Sequence, residues 1–141
     1  MPFQSIIDRF METPRPLFLI DAAGAAVSAF LLGVVLVYFQ PFFGIPLSTL
    51  YLLAVIPCFF ILYDLVGYFT NRNAHILLGR VARLNVFYCL LSLSMMFADY
   101  ALITVWGWVY VLGEIAIVLT LAWIEWQVVK GLRNPQERAY I

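Results

Sequence analysis

The chain of 141 residues is 65% apolar and 17% aromatic, and only 11% of its residues are charged. That composition leaves too little polar surface to cover a soluble domain, so a soluble fold is excluded and a membrane protein is predicted. The eight basic and eight acidic residues balance to a formal net charge of zero. We therefore expect the chain to lie in a lipid bilayer, and we expect no nucleic-acid partner.

The first segment of the chain carries apolar residues at helical spacing, namely Phe3, Ile6, Ile7 and Phe10. Pro14 and Pro16 then end the pattern, because proline cannot continue the hydrogen-bond ladder of a helix. We predict an amphipathic helix and a proline-rich break over 1–16, lying on the cytoplasmic face of the bilayer. Docking of this helix to a partner protein is the alternative.

Four apolar runs follow, and each is long enough to cross the roughly 30 Å hydrocarbon layer at about 1.5 Å per residue. They cover residues 17–39, 47–69, 84–103 and 108–129. Two of their connections are short, which favours antiparallel neighbours. The sequence thus predicts an all-α bundle of four transmembrane helices in up-down-up-down order, forming one domain over 17–130 and followed by a polar tail over 131–141.

The positions of the basic residues predict an orientation. If the four runs are spans, every basic residue lies on one side of the membrane: Arg9, Arg15, Arg72, Arg80, Arg83, Lys130, Arg133 and Arg138. By the positive-inside rule, both termini are expected in the cytoplasm. The predicted location is the inner membrane of a bacterium.

Ionisable residues within spans are rare because a central charge is costly in lipid, so each one is a candidate functional residue. Asp21, Asp64 and Glu125 lie in three different spans at nearly the same distance from the cytoplasmic boundary. Asn85 and Tyr88, on the remaining span, reach the same layer. The leading hypothesis is that this layer binds a small ligand, an ion or a proton, in a protein of transport type.

A structural interpretation of the same layer is that its carboxylates pair with Arg15, Arg80 and Arg83, whose long side chains reach the same boundary. The chain would then be a non-catalytic accessory or assembly subunit of a membrane complex. A stripe of small residues on the first span would serve helix packing in the bundle, a second copy of the chain or a partner subunit; it comprises Ala22, Ala26, Ala29 and Gly33.

Glu114 is a further acidic residue predicted inside a span, nearer the far side of the membrane. It lies about 9 Å below that boundary, where no basic residue is available. Because burial disfavours the charged form of a carboxyl group, we predict a neutral Glu114 bonded to a hydroxyl group. The candidate partners are Ser92, Ser94 and Tyr38, and a proton-carrying role for Glu114 is the alternative.

The chain lacks the residues that several classes of cofactor site and enzyme require. It has one histidine, His75, and no Cys-x-x-Cys, phosphate-binding glycine loop or His-Glu-x-x-His motif. No cofactor, metal site or catalytic residue is therefore predicted. An intramembrane enzyme of unknown chemistry remains the third alternative for function.

In size and number of spans the chain resembles the small multidrug-resistance exporters, which carry an acidic residue in the first helix. Asp21 would be the corresponding residue, although the acidic residue of that family lies deeper in its helix. The chain departs from that family in its complete charge bias, and membership is not claimed.

Overall fold

The computed structural model describes residues 5, 7–9, 15–70 and 74–133. Its helices are α1 (Arg15–Phe30), α2 (Leu36–Tyr38), α3 (Gln40–Phe43), α4 (Leu47–Phe69), α5 (Ala74–Ala98) and α6 (Val105–Arg133). A π-helical segment, Leu31–Val35, joins α1 to α2. The described residues contain no strand, which confirms the all-α prediction.

Four helical stretches are long and apolar enough to cross a membrane, namely Arg15–Tyr38, Leu47–Phe69, Ile76–Ala98 and Val105–Gly131. They are called spans 1 to 4 below. Many of their large apolar side chains point outward, as a lipid-facing surface requires; Phe59, for example, is 65% exposed. The predicted bundle of four transmembrane helices is thus confirmed, and the chain is an integral membrane protein.

The third helix begins earlier than predicted. The apolar run suggested a start at residue 84, whereas α5 begins at Ala74 and ends at Ala98. Hydropathy reports the part of a helix that lies in hydrocarbon, whereas the hydrogen-bond ladder continues through polar residues such as Arg80 and Arg83. The connection before α5 is therefore only a few residues long, and both arginines lie on a helix rather than in a loop.

The spans pack as two hairpins. Span 1 packs along α4 and α5 packs along α6, whereas span 1 and α6 touch only slightly. The end of the bundle where α1 and α5 begin and α4 and α6 end is called the terminal end, and the other the opposite end. Each end has its own apolar core, represented by Phe18 and Val128 at the terminal end and by Leu53 and Met96 at the opposite end.

The two hairpins are joined at the opposite end by contacts between their turns. The hydroxyl group of Thr104 donates to the carbonyl oxygens of Phe42 at 2.7 Å and Phe43 at 3.1 Å, and the backbone N–H of Thr104 donates to Phe43. Gly44 has a positive φ of 74° and lies against the backbone of residues 102–104, where a Cβ atom would clash. This set of contacts is called the clasp.

Some predicted regions fall outside the described residues. Most of the amphipathic segment 2–13 does so, as does the tail from residue 134 onward. Residues 7–9 are helical, and Ile7 is 5% exposed and belongs to the terminal core with Leu17 and Phe18. The described part of this segment therefore contacts the bundle itself.

Candidate functional site

Four polar residues from the four spans meet inside the terminal half of the bundle. Asp21 on α1, Asp64 on α4, Asn85 on α5 and Glu125 on α6 are each at most 4% exposed. The amide nitrogen of Asn85 donates to Asp21 Oδ1 at 2.9 Å and, more weakly, to Glu125 Oε2 at 3.4 Å. These four residues are called the acidic cluster.

The acidic cluster contains more acceptors than donors. Asp64 and Glu125 each contact the carboxyl group of Asp21, but two carboxyl groups hydrogen-bond only when one of them carries a proton. Asp21 Oδ2, both oxygens of Asp64 and Glu125 Oε1 are buried without a hydrogen-bond partner. Since buried acceptors without donors are costly, the cluster can lower its free energy by taking up protons or a ligand that donates hydrogen bonds.

The three arginines proposed as ion-pair partners make other contacts. Arg15 donates from Nε to the carbonyl oxygen of Tyr68 at 2.7 Å, and its guanidinium group lies 4.5 Å from the centre of the Tyr68 ring. Arg83 lies over the ring of Trp126. Among the described residues, neither these two nor Arg80, which is exposed, forms an ion pair with the acidic cluster.

Glu114 forms a second polar centre nearer the opposite end. The hydroxyl group of Tyr88 donates a short hydrogen bond to Glu114 Oε1, and the side chain of Tyr110 lies close to the Glu114 carboxyl group. The partners differ from the predicted Ser92, Ser94 and Tyr38. Ser94 is exposed and bonds to the carbonyl oxygen of Leu90 one turn before it, and Tyr38 is 79% exposed.

Tyr88 consequently lies apart from the layer in which the sequence placed it. It shares a helix face with Asn85, three residues earlier, but its long side chain extends to Glu114 rather than to a carboxyl group of the acidic cluster. Tyr110 was not singled out from the sequence as a polar partner. Its helical spacing of four residues from Glu114 is the signal that could have identified it.

One cleft between span 1 and α6, with a volume of about 550 Å³, is lined by residues of both polar centres. Asp21, Asn85, Tyr88 and Glu114 form its polar wall. Its rim consists of exposed apolar or small residues in the middle of the spans, including Gly24, Val27, Gly113 and Ile117. Because this rim lies at the depth of the hydrocarbon layer, the cleft opens sideways towards lipid.

No group of three or more His, Cys, Asp or Glu side chains within the described segments is arranged to hold a metal ion. The polar side chains of the cleft offer acid–base and hydrogen-bonding chemistry beside an apolar surface. Comparisons with protein-family models, curated proteins and solved structures give no match.

Proposed function

We propose that the chain is a transport-type protein that binds a small cationic solute in the cleft, with a proton as the competing occupant of the acidic cluster. The observation that carries the proposal is the buried, unpartnered oxygen Oδ2 of Asp21, a residue that lines a cleft of about 550 Å³. A solute ammonium group supplies both the positive charge and an N–H donor, which this oxygen lacks.

In this proposal Asp21 is the residue that links the cleft to the rest of the acidic cluster. It lines the cleft, accepts from Asn85 through Oδ1, and contacts Asp64 and Glu125 deeper in the bundle. A cation beside Asp21 and a proton on the acidic cluster are alternative ways to supply the positive charge that these buried carboxyl groups lack. Binding of the cation should therefore release a proton that the three carboxyl groups had shared.

The apolar wall of the cleft favours a solute with an apolar body. Val27, Leu31 and Phe60 line it, together with parts of α6. Burial of apolar solute surface contributes about 25 cal/mol per Å², whereas a small hydrated metal ion would gain nothing from these side chains. The proposed ligand class is thus a lipophilic amine.

We further propose that the terminal end faces the cytoplasm of a bacterial cell. The six described basic residues all belong to that end: Arg9, Arg15, Arg80, Arg83, Lys130 and Arg133. Asp99 lies in the turn at the opposite end, where it accepts from Thr49 at 3.0 Å. The positive-inside rule supports this orientation.

The proposal is tested by calorimetric titration of the purified protein in detergent with hexylammonium, using hexanol as the uncharged analogue. We expect hexylammonium to bind with release of a proton, which shows as a heat that depends on the ionisation enthalpy of the buffer. Asp21→Asn should weaken binding at least about tenfold, corresponding to roughly 1.4 kcal/mol. Asp99→Asn is the matched control and should leave binding unchanged.

Asp64→Asn provides a second arm, because Asp64 contacts Asp21 but does not line the cleft. This variant should fold, since it strands no arginine among the described residues, and it should bind hexylammonium with a smaller proton release. Equal affinities for hexylammonium and hexanol, or unchanged binding in a folded Asp21→Asn variant, would refute the proposed function.

A second candidate function, that of an accessory subunit, is favoured by the shape of the rim. Gly24 and Gly113 have no atom within 4 Å of a Cβ added to them, so the backbone of a partner helix could approach closely there. A partner helix would occupy the same cleft as the solute. Binding of hexylammonium by the purified chain would favour the solute, whereas copurification of a stoichiometric membrane subunit that blocks this binding would favour the partner.

A further inference from the structure

A second groove lies on the lipid-facing side of the α5–α6 hairpin, towards the terminal end. It has a volume of about 390 Å³ and is lined by Arg83 and Val86 of α5 and by Leu119, Trp123 and Trp126 of α6, among others. Arg83 and Asn85 are two residues apart, so they point about 200° apart around α5. The groove is therefore separate from the cleft that Asn85 lines.

Arg83 places a permanent positive charge beside this groove. Its side chain is exposed, and it lies at the terminal end of the bundle, directly before the apolar part of α5. Its guanidinium carbon is 6.0 Å from the centre of the Trp126 ring, and the described residues provide no acidic partner for it. An exposed guanidinium group without an acidic partner can bind an anion such as a lipid phosphate.

The neighbouring surface suits an acyl chain. Val86 and Leu119 continue the groove from Arg83 towards the middle of the bilayer, and Trp123, which is 50% exposed, forms part of its wall. Tryptophan is enriched at the level of lipid headgroups, where its ring contacts apolar chains and its N–H group contacts polar ones. A cation at one end and an apolar channel beyond it match the two parts of a phospholipid.

We propose that this groove is a binding site for one anionic phospholipid, with the phosphate on Arg83 and an acyl chain along Val86 and Leu119. Arginine binds phosphate through two parallel N–H donors, which gives both charge and geometry. A zwitterionic lipid offers the same phosphate, but its ammonium group opposes Arg83. The site should therefore prefer lipids with a net negative charge.

The test uses tryptophan fluorescence in bilayers of phosphatidylcholine that contain either brominated phosphatidylglycerol or brominated phosphatidylcholine at equal mole fraction. Trp106→Phe and Trp108→Phe are introduced first, so that the signal comes from Trp123 and Trp126 alone. Bromine quenches only by close approach, so quenching measures occupancy of the groove by an acyl chain. We expect about a fivefold preference for the brominated anionic lipid, the effect of one basic residue at a membrane surface.

Arg83→Gln should abolish the preference, and Arg83→Lys, which keeps the charge, should retain part of it. The matched control is Arg80→Gln, because Arg80 lies one turn earlier on α5, is exposed and does not line the groove. The control should keep the full preference. Equal quenching by the two brominated lipids would overturn the proposal. An equal loss of the lipid preference in Arg80→Gln and Arg83→Gln would also overturn it, because it would show a general attraction of anionic lipid to a charged surface.

Discussion

Span 1 meets its two neighbours in opposite ways. Against α4 it packs closely: Gly67 lies under the ring of Phe18, where a Cβ atom would come within 2.5 Å of Phe18 Cε1, and a Cβ atom at Gly33 would lie 3.3 Å from that of Ala54. Against α6 it leaves the cleft, where Gly24 and Gly113 have open space. The same type of residue thus permits close contact on one side and leaves a cavity on the other.

The difference separates the structural side of span 1 from the side proposed to bind. Close packing of small residues holds helices together in lipid, where the hydrophobic effect between helices is missing. The α1–α4 contact has this character where Gly67 meets Phe18 and where Gly33 meets Ala54. The cleft differs from this contact, because span 1 and α6 do not pack closely there and because Asp21 and Glu114 line the space between them.

The largest effect is expected from Gly67→Ala, which breaks the closely packed contact. The new methyl group would overlap the ring of Phe18, which is 1% exposed and has no room to move. Overpacking of this kind costs about 1–3 kcal/mol of unfolding free energy. Unfolding of the purified protein, followed by circular dichroism in a denaturing detergent, measures the loss; an unchanged unfolding transition would show that the contact is loose.

A smaller effect is expected from Glu114→Gln, which changes the polar wall of the cleft. Glutamine keeps one carbonyl oxygen for Tyr88 or Tyr110, so about one neutral hydrogen bond is at stake, worth about 0.5–1.5 kcal/mol. If Glu114 is neutral, infrared spectroscopy should show a protonated-carboxyl band in the wild type that the variant lacks. A loss well above 3 kcal/mol without that band would mean that Glu114 is charged.

The smallest effect on stability is expected from Gly24→Ala and Gly113→Ala, which sharpen the comparison with Gly67→Ala. Both glycines are helical and neither has a neighbour within 4 Å of the added methyl group. Alanine is the better helix former, so each change should leave stability within about 1 kcal/mol of the wild type or raise it. Titration with hexylammonium should show weaker binding, because both methyl groups project into or beside the cleft. A large loss of stability would mean that the cleft is closed in the membrane.

The spans could be predicted from the sequence because the hydropathy of a segment depends only on the residues that it contains. The second predicted span, 47–69, coincides with α4. The third, 84–103, began and ended later than α5, which extends over its polar start from Ala74 and ends at Ala98. The meeting of Asp21, Asn85 and Glu125 follows from their similar depths, since each of these three helices has a buried polar residue in the same layer.

Neither the hydrogen-bond partners of Glu114 nor the cleft could be predicted from the sequence. Ser94 and Tyr88 lie at plausible depths, and only the rotation of α5 about its axis decides that Tyr88 faces Glu114 while Ser94 faces lipid. That rotation results from all contacts of the helix together. The cleft depends on the separation of span 1 and α6, which no local pattern in either helix encodes.

The clasp sets an order of events during biosynthesis. Residues 42–44 leave the ribosome long before Thr104 and its neighbours, so the first hairpin enters the membrane while its clasp partners are not yet synthesised. At that stage Asp21 and Asp64 also lack Asn85, which supplies the N–H donor to Asp21 in the finished bundle. Helices that insert first and associate later follow the two-stage path of membrane protein folding. Arrival of the second hairpin therefore joins the two turns and brings Asn85 to Asp21 in one late step of assembly.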